Sequence, residues 1–349
     1  MTGLAVAFNP ARRATSRHVS GTKDEPMGFL ILDGRTVRGM IDTDEVIEAV
    51  EEAFIAYARG EVAMPAKIYL DLPGGDLRAM PALVPELAGI KWVNSHPGNP
   101  PLGLPAVMAT ILINEPRTGR PLALLDGTWI TRQRTAAAAA IATRALARSD
   151  ARNVGMIGCG ALAEPMLRAV GRVMKIERIY LCDIEPARAE RLAGRLGDLD
   201  CEVGDHRAVA ASADVLCTTT FSRRPVVRAE WVRPGTHVNA MGADAPGKQE
   251  IDPALLKTAA VFVDDWKQAA HSGELNRLLE SGEIERRDVA GTLGEVLAGT
   301  IPGRRDERQV TVFDSTGLAI QDLAVARRVW LRARERGVGL SVELNDQPA

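Results

Sequence analysis

The amino-acid sequence predicts an α/β protein built in two differently patterned parts. From residue 154 onward, short apolar runs alternate with amphipathic stretches. Residues 154–157, 178–182, 215–218, 237–240 and 260–263 read as strands, and 162–174 and 186–196 as helices. The first of these strands runs into Gly158-Cys-Gly160-Ala161-Leu-Ala163, a glycine-rich turn that opens a helix. Residues 29–113 lack this alternation and carry one clear helix among strands divided by Pro and Gly. The second part is therefore expected to be a Rossmann-type, doubly wound parallel sheet, and the first an α+β domain.

With 349 residues the chain exceeds one ordinary core, which agrees with two domains. Residues 1–26 are irregular, contain Arg12, Arg13 and Arg17, and read as a flexible N-terminal extension rather than a transit peptide. The first apolar strand is 29–32. Residues 43–60 form an amphipathic helix. Asp42, Thr43 and Asp44 offer its cap, Val46, Ile47, Val50, Ala53, Phe54 and Tyr57 its buried stripe, and Gly60 its stop. Strands are expected at 67–72, 90–93 and 106–113, with a turn at Gly74-Gly75. An alanine-rich helix is expected from 131 to about 148, its small residues allowing close packing. After residue 300, a strand at 310–313 and a helix at 317–336 are expected to return to the first domain. The division is then 27–130 with 305–349 for the first domain and 131–304 for the second.

A formal net charge of −2 gives no general attraction to nucleic acid or anionic membrane. No apolar run reaches the 18 residues a membrane span needs. Cys159, Cys182, Cys201 and Cys217 form no Cys-x-x-Cys pair and have no His at ligand spacing. They read as reduced, buried thiols of a cytoplasmic protein, and no metal site is expected.

The fingerprint at 158–163 assigns separate tasks to its residues. Gly158 permits the tight turn, Gly160 lets a pyrophosphate approach the backbone alongside Ala161, and Ala163 lets the helix lie close to the strand. The helix N-terminus then offers free N–H groups to phosphates. Asp183 ends the next strand, where a carboxylate can accept hydrogen bonds from both ribose hydroxyls. The same carboxylate repels a 2′-phosphate, and Ile184 follows it, so NAD is favoured over NADP. Arg188 is the nearest cation.

No Gly-x-Ser-x-Gly elbow, HExxH or Walker loop is present. The candidates for chemistry are scattered charges: Lys67, Arg78, Lys91, Arg134 and Asp244. Lys91 sits inside an apolar strand, where an unpaired ammonium is costly. Asp244 follows a strand of the parallel sheet, at the end where ligands gather in such folds. Arg134 is expected to open the alanine-rich helix, which suits contact with cofactor phosphates.

Several stretches together resemble the ornithine cyclodeaminase/mu-crystallin family from about residue 40 to 338. They are Lys91-Trp-Val-Asn-Ser-His-Pro-Gly-Asn99, Gly103-Leu-Pro105, Thr118-Gly-Arg-Pro121, Arg134-Thr-Ala-Ala137, the Gly158 loop, Gly242-Ala-Asp-Ala-Pro-Gly-Lys248 and Phe313-Asp-Ser-Thr-Gly317. The resemblance implies a homodimer whose first domain, completed by the C-terminal helix, supplies the subunit contact and the substrate site. It places Lys67, Lys91 and Arg134 toward the substrate and makes Asp244 the acid/base. Thr219 and Thr220 would line the adenosine side, and Ser315 to Gly317 would approach the nicotinamide.

Within that family, cyclodeaminases are expected to carry an acidic residue where this chain has Arg78 and an Arg where it has Lys67. The Lys67, Arg78 and Lys91 combination instead resembles the alanine dehydrogenase branch. The expected activity is NAD-dependent interconversion of a small L-amino acid with its 2-oxo acid and ammonia, with Arg78 gripping the carboxylate. The competing readings are an ornithine cyclodeaminase that uses NAD catalytically, a cyclic ketimine reductase, and a non-enzymatic mu-crystallin-like binding protein.

Overall fold

In a computed structural model the described residues are 28–344, so the expected extension at 1–26 lies outside them. The chain opens with β1 (Phe29–Leu32), α1 (Gly34–Arg38) and α2 (Thr43–Ala58). The helix α2 starts as its sequence dictates: the Asp42 side chain accepts from Glu45 N while the Glu45 side chain accepts from Asp42 N. An antiparallel meander follows: β2 (Ile68–Leu72), β3 (Gly75–Val84), β4 (Leu87–Ser95), β5 (Val107–Asn114) and β6 (Pro121–Asp126). β1 joins β6 in parallel, and the last strand of the chain joins β1.

The helix α3 (Gly127–Leu146) leads into the second sheet, built from β7 (Asn153–Ile157), α4 (Ala163–Val173), β8 (Arg178–Cys182), α5 (Pro186–Arg195), β9 (Cys201–Val203), α6 (His206–Ser212), β10 (Val215–Thr218), β11 (His237–Ala240), α7 (Pro253–Leu256) and β12 (Ala260–Val263). It ends with α8 (Trp266–Ser272), α9 (Asn276–Glu280), β13 (Gly291–Thr292), α10 (Leu293–Leu297) and β14 (Thr311–Asp314). The eight strands are all parallel, in the order β13-β12-β14-β11-β10-β7-β8-β9. The chain then returns through α11 (Ala319–Glu335) and β15 (Leu340–Val342) to the first sheet, whose order is β15-β1-β6-β5-β4-β3-β2.

The alanines of α3 explain how the two sheets share one core. Ala136 to Ala140 are at most 1% exposed, and α3 packs on α2, α4, α11, β5, β11 and β14. A methyl side chain lets this many elements approach one helix closely. α11 lies across β3, β4 and β5 and beside α2, as expected of a helix returning to the first part.

The structure extends several expectations. Strands β3, β6, β9, β13 and β15 were not anticipated, and the strand expected at 90–93 runs from Leu87 to Ser95. α3 starts at Gly127, because Asp126 accepts from Thr128 N and caps it there. Arg134 therefore lies well inside the helix and not at its opening, which corrects the expectation based on a helix N-terminus. Among the described residues, no helix is long and apolar enough to cross a membrane, and no cluster of three His, Cys, Asp or Glu could hold a metal ion.

Candidate active site

The carboxyl ends of the parallel strands form one wall of a cavity of about 620 Å³. Gly158 has φ +96°, and a Cβ there would lie 3.0–3.1 Å from atoms of Thr219 and Thr220, so both conformation and space demand glycine. Its N–H donates to Cys182 O at 2.8 Å, fastening the turn to the end of β8. Gly160 and Ala161 line the cavity, and a Cβ at Gly160 would meet nothing within 4 Å. Ala163 is fully buried where α4 meets the sheet. The residue before α4, Leu162, offers no side-chain cap; Ala163 N donates to Gly160 O at 3.2 Å and Pro165 has no N–H, which leaves Glu164 as the first-turn N–H open to a ligand.

Asp183 accepts from Cys159 N at 2.7 Å and from Glu185 N at 2.9 Å, which aims its carboxylate along the loop. Arg188 lines the cavity and pairs with Glu185 at 2.7 Å. Thr219 lines it too, its hydroxyl donating to Gly158 O at 2.8 Å. Thr220 stands behind, its N–H donating to Glu250 Oε1 at 2.6 Å. On the far side Asp264 gathers the 315–317 loop, accepting from Thr316 N and Gly317 N at 2.7 Å each and from Ser315 Oγ at 3.2 Å. Open space at Gly160, a helix start without a side-chain cap and a carboxylate just after β8 together fit the expected dinucleotide.

Two ionic clusters close the cavity from the first sheet. In the inner one, Lys91 of β4 and Arg134 of α3 share Asp322 of α11. Lys91 Nζ lies 2.6 Å from Asp322 Oδ2, an ion pair without the angle of a hydrogen bond, and Arg134 Nε donates to Asp322 Oδ1 at 3.0 Å. Arg134 also donates to Gln321 Oε1 at 3.1 Å. Lys91 is 1% exposed and Asp322 0%. Burial foremost, and then the Arg134 charge, pushes the Lys91 ammonium down to about 7 against the pull of Asp322.

In the outer cluster, Asp244 stands between two cations. Arg78 Nη1 donates to its Oδ2 at 2.6 Å and Lys248 Nζ to its Oδ1 at 2.5 Å. Arg78 is held on its other edge by both oxygens of Asp76, at 2.6 and 3.0 Å. Burial alone would raise the Asp244 carboxyl, but Lys248 and Arg78 hold it well below the usual carboxylate range. Lys67 reaches the same end of the cavity, donating to Thr316 O at 2.6 Å. Its ammonium is pushed down to about 8, chiefly by burial.

Arg134, Gly160, Ala161, Arg188, Thr219, Asp244, Ser315 and Gly317 thus line one cavity. Lys67, Arg78 and Lys91 join it through direct contacts with Thr316, Asp244 and the Arg134 partner Asp322. Gly158, Ala163, Asp183 and Thr220 brace or flank it. Arg78 is not a free clamp in this state, since Asp76 and Asp244 occupy it. Sequence reasoning missed Asp76, Gln321 and Asp322, and noted Lys248 and Asp264 only as parts of motifs. One signal was available: Asp322 falls on the stripe of Val325, Ala326 and Val329, where a charge interrupts the apolar face of a helix.

The sequence pattern described as the ornithine cyclodeaminase/mu-crystallin family matches residues 30–337. The chain is 49% identical over 318 residues to the alanine dehydrogenase of Archaeoglobus fulgidus, covering 91% of this chain and 99% of that one. A solved archaeal alanine dehydrogenase dimer with bound NAD superposes with a TM-score of 0.89 at 48% identity, over 91% of this chain and all of that one. The Thermococcus litoralis Δ1-pyrroline-2-carboxylate reductase, in complex with NADH and L-proline, gives 0.86 at 34% identity, over 90% and 100%.

Proposed function

The chain belongs to the ornithine cyclodeaminase/mu-crystallin family, and we propose that it is an NAD-dependent amino acid dehydrogenase interconverting alanine with pyruvate and ammonia. The observation that carries this reading is the Asp244 carboxylate clasped between Arg78 and Lys248 at the end of a dinucleotide-shaped cavity. A site that holds a carboxylate of its own between two cations is built to hold a substrate carboxylate. The 49%-identical alanine dehydrogenase supports the choice of a small side chain. Arg78 opposes ornithine, because its guanidinium would repel a distal ammonium.

NAD, when bound, supplies the hydride acceptor. The residues of the chain hold the substrate and manage protons. Arg78, with Lys67 beside it, takes the substrate carboxylate and gives up its contact with Asp244. Asp244 then faces one cation fewer, so its proton affinity rises from the depressed value of the free site. That carboxylate accepts the proton of the water that adds to C2 of the imine and returns it to the departing amine. Lys91, held near neutrality, hydrogen-bonds the C2 substituent as charge develops there. Arg134, fixed by Asp322 and Gln321, keeps Lys91 in place and faces the substrate side of the cavity.

We place the enzyme in the cytoplasm as a homodimer. Four unbridged cysteines support the compartment. The outer face of the first sheet supports the dimer: Ile68, Leu70 and Trp92 are 66%, 51% and 42% exposed there. The activity is tested with a panel of 2-oxo acids and cyclic imines, with ammonia or methylamine, following NADH and NADPH absorbance. Pyruvate with ammonia and NADH is expected to be the best combination. NAD-dependent ammonia release from ornithine without net NADH, or tight cofactor binding with no turnover of any imine, would refute it.

A further inference from the structure

One face of α3 lines the dinucleotide cavity through Thr128, Thr131, Arg132 and Thr135, spaced i, i+3, i+4 and i+7. Two of these are already engaged: Thr128 Oγ1 accepts from Ala109 N at 3.0 Å, and Thr135 Oγ1 donates to Thr131 O at 2.7 Å. The other two are not. Thr131 is 8% exposed and its hydroxyl oxygen is buried with no hydrogen-bond partner. A buried hydroxyl left in that state is destabilising, and natural sites keep one where a ligand completes it.

Arg132 is half-buried and, among the described residues, has no carboxylate at ion-pair distance. It borders both the main cavity and a flanking pocket of about 380 Å³, and Gly160 and Ala161 are the other residues the two share. In the flanking pocket Arg168 and Arg195 both pair with Glu164, and Arg168 lies 3.9 Å from Asp198 as well. Arg38 faces Arg132, and burial together with this like charge disfavours the Arg132 cation, with Asp126 opposing. An uncompensated guanidinium therefore stands beside the backbone loop that a pyrophosphate would approach.

We infer that Thr131 and Arg132 form the second wall of the pyrophosphate site, binding the dinucleotide's phosphates from α3 opposite the backbone of Gly160 and Ala161. This rests on the nicotinamide dinucleotide reading above. The planar fork of Arg132 matches two phosphate oxygens, and the Thr131 hydroxyl donates to a third. The phosphates are then held between the backbone of the glycine-rich loop and side chains of α3, so the helix that connects the two sheets helps to grip the cofactor.

The test uses the full-length protein and measures binding of NADH, NADPH, ADP-ribose and adenosine by calorimetry, and the KM for pyruvate, in wild type, Arg132→Met, Arg132→Lys and Thr131→Val. Arg132→Met is expected to weaken NADH and ADP-ribose by about tenfold or more, the worth of one charge-assisted hydrogen bond. Arg132→Lys should recover part of that loss. Thr131→Val should weaken both ligands about fivefold while leaving the melting temperature of the free protein equal or higher, since its hydroxyl bonds nothing there. Adenosine, which lacks phosphate, should bind all four proteins alike. Unchanged NADH and ADP-ribose affinity in Arg132→Met would overturn the inference. So would an effect confined to NADPH, or one seen only in the KM for pyruvate. Failure of the wild-type protein to bind either pyridine nucleotide would overturn the cofactor reading and take this inference with it.

Discussion

Replacing Lys91 with methionine keeps an unbranched apolar stem and removes a buried charge. In the folded protein the ammonium is held down to about 7, by burial foremost and by Arg134. In the unfolded chain the same group returns to about 10.4. Between those values the unfolded state binds one more proton than the folded state, so stability rises with pH across the window. Integrating from pH 7 to pH 9 gives a gain of about 2.3 kcal/mol, with a slope nearing 1.4 kcal/mol per pH unit at the upper end. Well below pH 7 both states hold the proton and the contribution is flat. Lys67, held down to about 8, is present in both proteins, so its burial cancels in their difference and only its repulsion with Lys91 remains. Urea unfolding of wild type and Lys91→Met at pH 6, 7, 8 and 9 should therefore give curves that diverge by about 2 kcal/mol between pH 7 and 9, the wild type gaining. Parallel curves would refute the reasoning. Parallel curves are also what an Asp322 pairing that cancels or outweighs burial would give, because both states would then keep the proton up to pH 9.

Two further substitutions probe the outer cluster. Asp244→Asn should lower turnover of pyruvate with ammonia by about 10²–10⁴ while the NADH titration stays near wild type; equal loss of both would move Asp244 from proton transfer to cofactor binding. Arg78→Ala should raise the KM for pyruvate about tenfold or more, the worth of one hydrogen bond to a charged partner. An unchanged KM would remove Arg78 from the carboxylate pocket.

The dinucleotide loop was readable because its determinants are local. Gly158, Gly160 and Ala163 lie within six residues, and Asp183 ends the neighbouring strand. Lys91 stood out as a charge in an apolar strand, and its neutralising partner was the missing half. Asp322 lies 231 positions further on, and no spacing rule connects the two. Asp264, which gathers the 315–317 loop, has the same remoteness. Strand β3 was obscured by Pro81, which normally argues against a sheet interior. β2 pairs with β3 only from Gly75 to Ala79, so Pro81 falls where the strand has β4 alone as a ladder partner. The start of α3 lies upstream of the alanine run, at Asp126, whose side chain caps it, and the run itself carries no start signal.

Asp322 also gives the chain an order of assembly. The carboxylate that pairs with both Lys91 and Arg134 sits on α11, 231 and 188 residues after them, and so is made well after the sheet and helix that carry them. Until Ala319–Glu335 docks, a growing chain must keep two cations out of its interior or leave that interior open to water. The candidate site is consequently sealed only once α11 docks, and a chain terminated before Ala319 lacks the counter-ion that lets its first sheet close.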